Sequence, residues 1–243
     1  MNPALDVQHI SKAYGKKQAV NDVSFQIQEG EIYGLMGMNG AGKTTILRML
    51  ATLLKPDSGD ALIAGHSIKT QPDLVRASIC YLPDEASAYR SMTGRKYLAF
   101  IAGLYFDEEK EQKTCVELGE QICGLGDALD RKINTYSRGM IRKLVLARTV
   151  MPKPRLAILD EPTSGLDVLN SLDIRKTIRR CAKEYGTAFL LSSHHMQELA
   201  TTADRCAIMK DGVFLAEGTP QELLERYNAQ TLEEVFERAV NGV

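Results

Sequence analysis

Residues 37–44 read GMNGAGKT, and the fold turns on how this octapeptide is understood. It satisfies G-x-x-x-x-G-K-[ST] and lies between an apolar run, EIYGLMG at 31–37, and a helically spaced stretch from Ile46 to Leu54. Glycines in such a loop let the backbone curl until successive N–H groups face a single phosphate. Lys43 is then placed to reach outer phosphates, and the Thr44 hydroxyl to ligate Mg²⁺. Strand, glycine loop and helix in that order predict a nucleotide-binding α/β layer.

The segments on either side agree. LDVQHI (5–10) and VSFQIQ (23–28) alternate like half-exposed strands, while ALIAG (61–65) and SICYL (78–82) read as further strands after the turn KPDSG at 55–59. From about Ala86 to Met151 the pattern is helix after helix, broken only by short stretches such as GLGD at 124–127. Strands then return as LAILD (156–160), TAFLLSS (187–193) and RCAIMK (205–210). The last meets VFLAEG (213–218) across Asp211-Gly212, a strong hairpin signal. Thr219-Pro220-Gln221-Glu222 fits a capping box with proline at the first helical position. The expectation is one domain over 1–243, with a helical subdomain inserted at about 86–151 and a helical tail over about 219–243.

Two further stretches carry chemistry. LAILDEPTSGLD (156–167) is an apolar strand ending in two adjacent carboxylates, which is costly unless both are used. Asp160 is placed to hold Mg²⁺ through water, and Glu161 to orient or deprotonate an attacking water. Taken alone, a strand followed by a solvated acidic turn would look the same. YSRGMIRKL (136–144) begins a helix in an unusual way: Ser137 is a good N-cap, and Ser137 and Gly139 bracket an arginine. A helix N-terminus carries partial positive charge and free N–H groups, so it invites an anion.

Bulk properties narrow the classes. Of 243 residues, 44% are hydrophobic, enough for a sizeable core. Thirty Lys and Arg against 31 Asp and Glu give a net charge of −1, and no basic run exceeds two residues, which argues against nucleic acid as a partner. The five cysteines are spread out with no C-x-x-C pair, so reduced thiols are expected rather than disulfides or zinc. The start, MNPALDVQHI, has no signal-peptide pattern. The longest apolar run, Tyr97 to Phe106, is about half of the roughly 20 residues a bilayer span requires. D-x-x-G is absent and the nearest guanine-type string is NSLD at 170–173, against a GTPase. A small-molecule kinase would leave YSRGM, SGLD and the histidine after LLSS unexplained.

Taken in order, Tyr14 in KAYG, GMNGAGKTT, YLPDE, YSRGMIRKL, LAILDEP, SGLD and LLSSHH make the chain resemble an ATP-binding cassette (ABC) ATPase over nearly its whole length. The resemblance implies a RecA-like phosphate-loop core with an antiparallel β subdomain and the inserted all-helical subdomain. It implies ATP and Mg²⁺, with Tyr14 stacking on adenine and Asn39, Gly40, Ala41, Gly42, Lys43, Thr44 and Thr45 binding the nucleotide. Thr44, Asp160 and Asp84 would serve the metal, Glu161 and His194 catalysis, and Glu198 follows His194 at the family's interval. Family cassettes pair head to tail, so Ser137, Arg138, Gly139 and Met140 would act on a partner cassette's ATP, and Asp167 would link the two sites. The pair is expected to be a homodimer. Two departures stand out: the signature is usually Leu-Ser-Gly-Gly-Gln, and Asp84 stands where the family usually has Gln, a residue that senses Mg²⁺ and touches the transport domain. His195 is expected to be a solvated neighbour of His194, since adjacent helix positions do not share a face. SMTGRKYLAFIAGLYF (91–106) and TLEEVFERAV (231–240) resemble segments of exporter cassettes. An integral membrane permease partner and a peripheral position on the cytoplasmic face of the inner membrane are therefore implied, with a soluble iron–sulfur assembly cassette and a phosphate-loop kinase as the alternatives.

Overall fold

A computed structural model describes residues 3–242. In chain order it shows β1 (Leu5–Tyr14), β2 (Lys17–Ile27), β3 (Ile32–Met36), α1 (Lys43–Leu50), β4 (Ser58–Ile63), β5 (His66–Ser67), α2 (Pro72–Ser78), β6 (Ile79–Leu82), α3 (Gly94–Tyr105), α4 (Glu109–Cys123) and α5 (Arg138–Val150). There follow β7 (Leu156–Asp160), α6 (Val168–Tyr185), β8 (Ala188–Ser193), α7 (Met196–Thr202), β9 (Arg205–Lys210), β10 (Val213–Gly218), α8 (Pro220–Arg226) and α9 (Leu232–Asn241).

Six strands form one sheet in the order β10-β9-β3-β8-β7-β6. All pairs are parallel except β9 with β10. Every residue of β3, β7 and β8 is buried, as expected for strands covered on both faces. The period of two divides β3 between two cores. Tyr33 and Leu35 join the cluster with α1 and the second sheet, whereas Ile32 and Met36 join the cluster that includes α5, α6 and α7. The second sheet is antiparallel, β2-β1-β4-β5. Helices α3, α4 and α5 pack on one another, and α5 also touches β6 and α6, which ties the helical layer to the core.

Local signals act as their chemistry requires. Thr219 Oγ1 accepts from Glu222 N at 3.1 Å and Glu222 Oε2 accepts from Thr219 N at 2.8 Å, so both halves of the capping box form. Ser137 caps α5 by accepting from Met140 N at 3.2 Å. All five cysteines are free and buried. Three local expectations change. The helix after the phosphate loop ends at Leu50, not Leu54, and α2 is a short element that no sequence signal had marked. His194 and His195 are not on a helix at all: they occupy the turn before α7, with ring centroids 4.0 Å apart.

The Asp211-Gly212 turn has positive φ at both residues (48° and 84°), as a tight hairpin of this type needs. Its tip also braces the phosphate loop. Gly212 N donates to Ala41 O at 2.9 Å, and Gly212 O accepts from Asn21 N at 2.8 Å. A side chain there would be strained, and its Cβ would stand 3.0 Å from Ala19 O. Gly212→Ala is therefore expected to lower unfolding stability by about 1–2 kcal/mol, read as a fall in urea midpoint at unchanged slope.

Candidate active site

The parallel strands β3, β7 and β8 end on the same side of the sheet, where ligands of open α/β sheets bind. The phosphate loop leaves β3 there and closes tightly. A Cβ on Gly37 would lie 2.5 Å from Met209 O, and one on Gly42, whose φ is +115°, would lie 2.3 Å from Ala19 O. Only glycine permits this approach. Lys43, the first residue of α1, is buried, and its Nζ donates to Gly37 O at 2.6 Å. Burial pulls its pKa down, opposed by the charges of Glu161 and Asp160.

Asp160 ends β7 at 4% exposure. Its Oδ1 accepts from Ser192 Oγ at 2.5 Å and faces Thr44 Oγ1 at 3.4 Å. Glu161 follows in the left-handed region, φ 47°, with its N–H donated to Ser192 Oγ at 3.0 Å. Its Oε1 lies 3.8 Å from Lys43 Nζ and its Oε2 lies 2.9 Å from His194 Nδ1. The latter is an ion-pair distance without hydrogen-bond alignment: Oε2 has no aligned donor among the described residues. Glu198 accepts a hydrogen bond from Thr163 Oγ1, which fixes the start of α7 against the turn after β7.

These elements enclose a cleft of about 290 Å³ lined by Tyr14, Lys17, Ala19, Met38, residues 39–45, Asp84, Asp160 and Glu161. Tyr14, half exposed at the end of β1, faces it with its ring accessible. The structure thus brings together Tyr14, Asn39, Gly40, Ala41, Gly42, Lys43, Thr44, Thr45, Asp84, Asp160 and Glu161, with His194 reaching the cleft through Glu161. Ser137, Arg138, Gly139, Met140 and Asp167 do not line it. They lie instead at the heads of α5 and α6, with Gly139 buried there. Arg138 Nη1 donates to Gly165 O at 3.0 Å, a Cβ on Gly139 would meet Asn170 at 2.5 Å, and Asp167 caps α6 by accepting from Asn170 N at 2.9 Å. The two Asn170 donors hold the Asp167 carboxyl below the usual range.

Three contributors were not visible from the sequence reading. Ser192 is a polar residue in a fully buried strand, and that burial was its signal. Arg142 shares the buried face of α5 with Val145, Leu146 and Thr149, an i, i+3, i+4, i+7 spacing that marks it as inward-facing. Lys17 carries no motif signal.

The model of the family described as ABC transporter matches residues 20–164. The chain belongs to the ABC transporter family. The daunorubicin/doxorubicin resistance ATP-binding protein DrrA of Streptomyces peucetius is 36% identical over 230 residues, covering 94% of this chain and 69% of its own. The ABC transporter ATP-binding protein NatA of Bacillus subtilis is 34% identical over 228 residues, 93% of this chain and 92% of its own. A solved structure, the ATP binding subunit of an ABC transporter, superposes with a TM-score of 0.85 at 26% identity, covering 98% of this chain and 99% of the other. This ABC protein is an ATP-hydrolysing subunit that powers a transporter. Among the described residues, no helix is long and apolar enough to cross a membrane.

Lys43→Ala is expected to weaken ATP binding about 10- to 100-fold, since a hydrogen bond to a charged group contributes roughly 1.5–3 kcal/mol. Equilibrium titration with a fluorescent ATP analogue reads the change directly.

Proposed function

We propose that two copies of this cassette pair head to tail, each holding ATP in the cleft built on Lys43, and that the pair drives export through an integral membrane permease. One observation carries the reading. The chain's own cleft supplies Lys43, Asp160, Glu161 and His194 but not Ser137 or Gly139, although those residues head a 13-residue helix whose N-terminal end suits an anion. A second copy is the natural source of that anion.

Within each site the adenine stacks on Tyr14, an interaction worth about 1–3 kcal/mol. Lys43 gives up its contact to Gly37 O for the outer phosphates, and the N–H groups of residues 39–45 surround them. Asp160 and Thr44 present hard oxygen donors 3.4 Å apart, which suits Mg²⁺, with Asp84 close enough to line the same cleft. When bound, Mg²⁺ would neutralise charge on the transferred phosphoryl group. Glu161, turned toward His194, orients the attacking water for in-line displacement. Ser137 and Gly139 of the other copy complete the γ-phosphate shell, and Asp167 lies at the seam between the copies. Asp84, where the family usually has Gln, can accept a hydrogen bond but cannot donate one as an ionised carboxylate.

The permease reading is supported by an apolar patch on the helical layer. Tyr89, Phe100 and Leu104 are exposed, with Tyr89 and Phe100 edge to face at 5.7 Å. We assign it to a cytoplasmic helix of the permease, with the cassette peripheral on the cytoplasmic face of the membrane. The exporter assignment is supported by relatives named for drug resistance, such as DrrA.

Glu161→Gln is expected to bind ATP normally, to turn over about 10²- to 10⁴-fold more slowly, and to accumulate an ATP-dependent dimer on size exclusion. Near-normal turnover would falsify the role given to Glu161. Purification of the tagged chain from native membranes in mild detergent is expected to bring down a protein with several spans of roughly 20 apolar residues, and Leu104→Asp to abolish that while sparing basal hydrolysis. Recovery of soluble partners alone would point instead to a cytosolic cassette.

A further inference from the structure

Arg142 lies on α5, five residues after Ser137, and is 6% exposed. Its Nε donates to Pro162 O at 2.6 Å, its Nη1 to Asp84 O at 2.9 Å, and its Nη2 to Glu161 O and, at 3.4 Å, to Asp160 O. One guanidinium therefore gathers four backbone carbonyls from two separate places: the end of β7 with the turn that follows it, and the loop after β6. Taking a cation this far out of water is costly, and burial pulls the Arg142 pKa down against the opposing charges of Asp84, Asp160 and Glu161.

That cost falls beside a residue with positive φ. Glu161 is a long side chain held at φ 47°, a conformation that persists only when its surroundings over-determine it. Three bonds hold it: Glu161 N to Ser192 Oγ, Ser164 N to Glu161 O, and Arg142 Nη2 to the same carbonyl. Ser192 is the penultimate residue of β8, and Ser164 lies in the turn that Glu161 itself begins. Arg142 alone of the three arrives from the helix that Ser137 caps.

We propose that Arg142 is a positioning residue for hydrolysis, tying the backbones of Glu161 and Asp84 to α5 so that a shift of α5 on engaging a second cassette's nucleotide is delivered to the catalytic carboxylate. The inference rests on Glu161 as the residue that orients water. A lysine cannot replace the fork, since an ammonium has three donors on one atom and cannot span four carbonyls.

The test uses the purified chain. Arg142→Lys is expected to leave ATP affinity and KM within about threefold and to cut kcat about 10- to 100-fold, the cost typical of losing a group that orients a functional one. Because Arg142 acts through Glu161, adding Arg142→Lys to Glu161→Gln is expected to slow single-turnover hydrolysis by less than about twofold more. Arg142→Gln, which keeps neutral donors, serves the same cycle should the lysine variant unfold. Wild-type kcat in the variant, or losses that simply add in the double variant, overturn the proposal. Failure of Glu161 itself is separable, because Glu161→Gln alone would then turn over at the wild-type rate.

Discussion

A carboxylate at the end of a fully buried strand must be hydrogen-bonded, and the site grows from how Asp160 meets that demand. Ser192 Oγ at 2.5 Å clips the end of β8 to the end of β7, and Thr44 Oγ1 at 3.4 Å brings in the start of α1. The same Ser192 oxygen accepts the Glu161 N–H, so one hydroxyl serves two adjacent acidic residues. Strand ends that would otherwise diverge are gathered into a single corner, and the phosphate loop closes over it.

Two buried cations divide the electrostatic work. Lys43 is a compact point charge on a flexible stem, shared between Gly37 O and the Glu161 carboxylate. Such a group can exchange partners when a phosphate arrives. Arg142 sits behind the carboxylates with its fork engaged by four carbonyls, and its geometry does not permit exchange without losing several bonds at once. The mobile charge faces the cleft and the fixed one faces the backbone. The charges of Asp84, Asp160 and Glu161 all favour the Arg142 cation and oppose the effect of its burial.

The surface at the head of α5 is organised differently. Arg138 is drawn back to Gly165 O, Gly139 leaves room for Asn170, and Asp167 is locked as the cap of α6. The arginine that departs from the usual signature thus binds the head of α5 to the turn before α6. These bonds order the head of α5 and the head of α6 from within the chain itself.

The sequence by itself determined whatever depends on residues within a few positions of one another. The phosphate loop needs its glycines and lysine at fixed offsets, the Asp211-Gly212 turn needs two positive φ angles, and the capping box joins Thr219 to Glu222; each was legible because its partners are neighbours in the chain. The placement of His194 and His195 was misread because the boundary between β8 and α7 leaves no local signal. Tertiary structure alone decided that Ser192 would serve Asp160 across 32 positions and that Arg142 would reach Asp84 O across 58. It also decided that Gly212 would brace Ala41. Those bonds join elements set side by side by the order of strands in the sheet, and strand order follows from burying both faces of β3, β7 and β8, a requirement met by the whole chain and written in no single stretch of it.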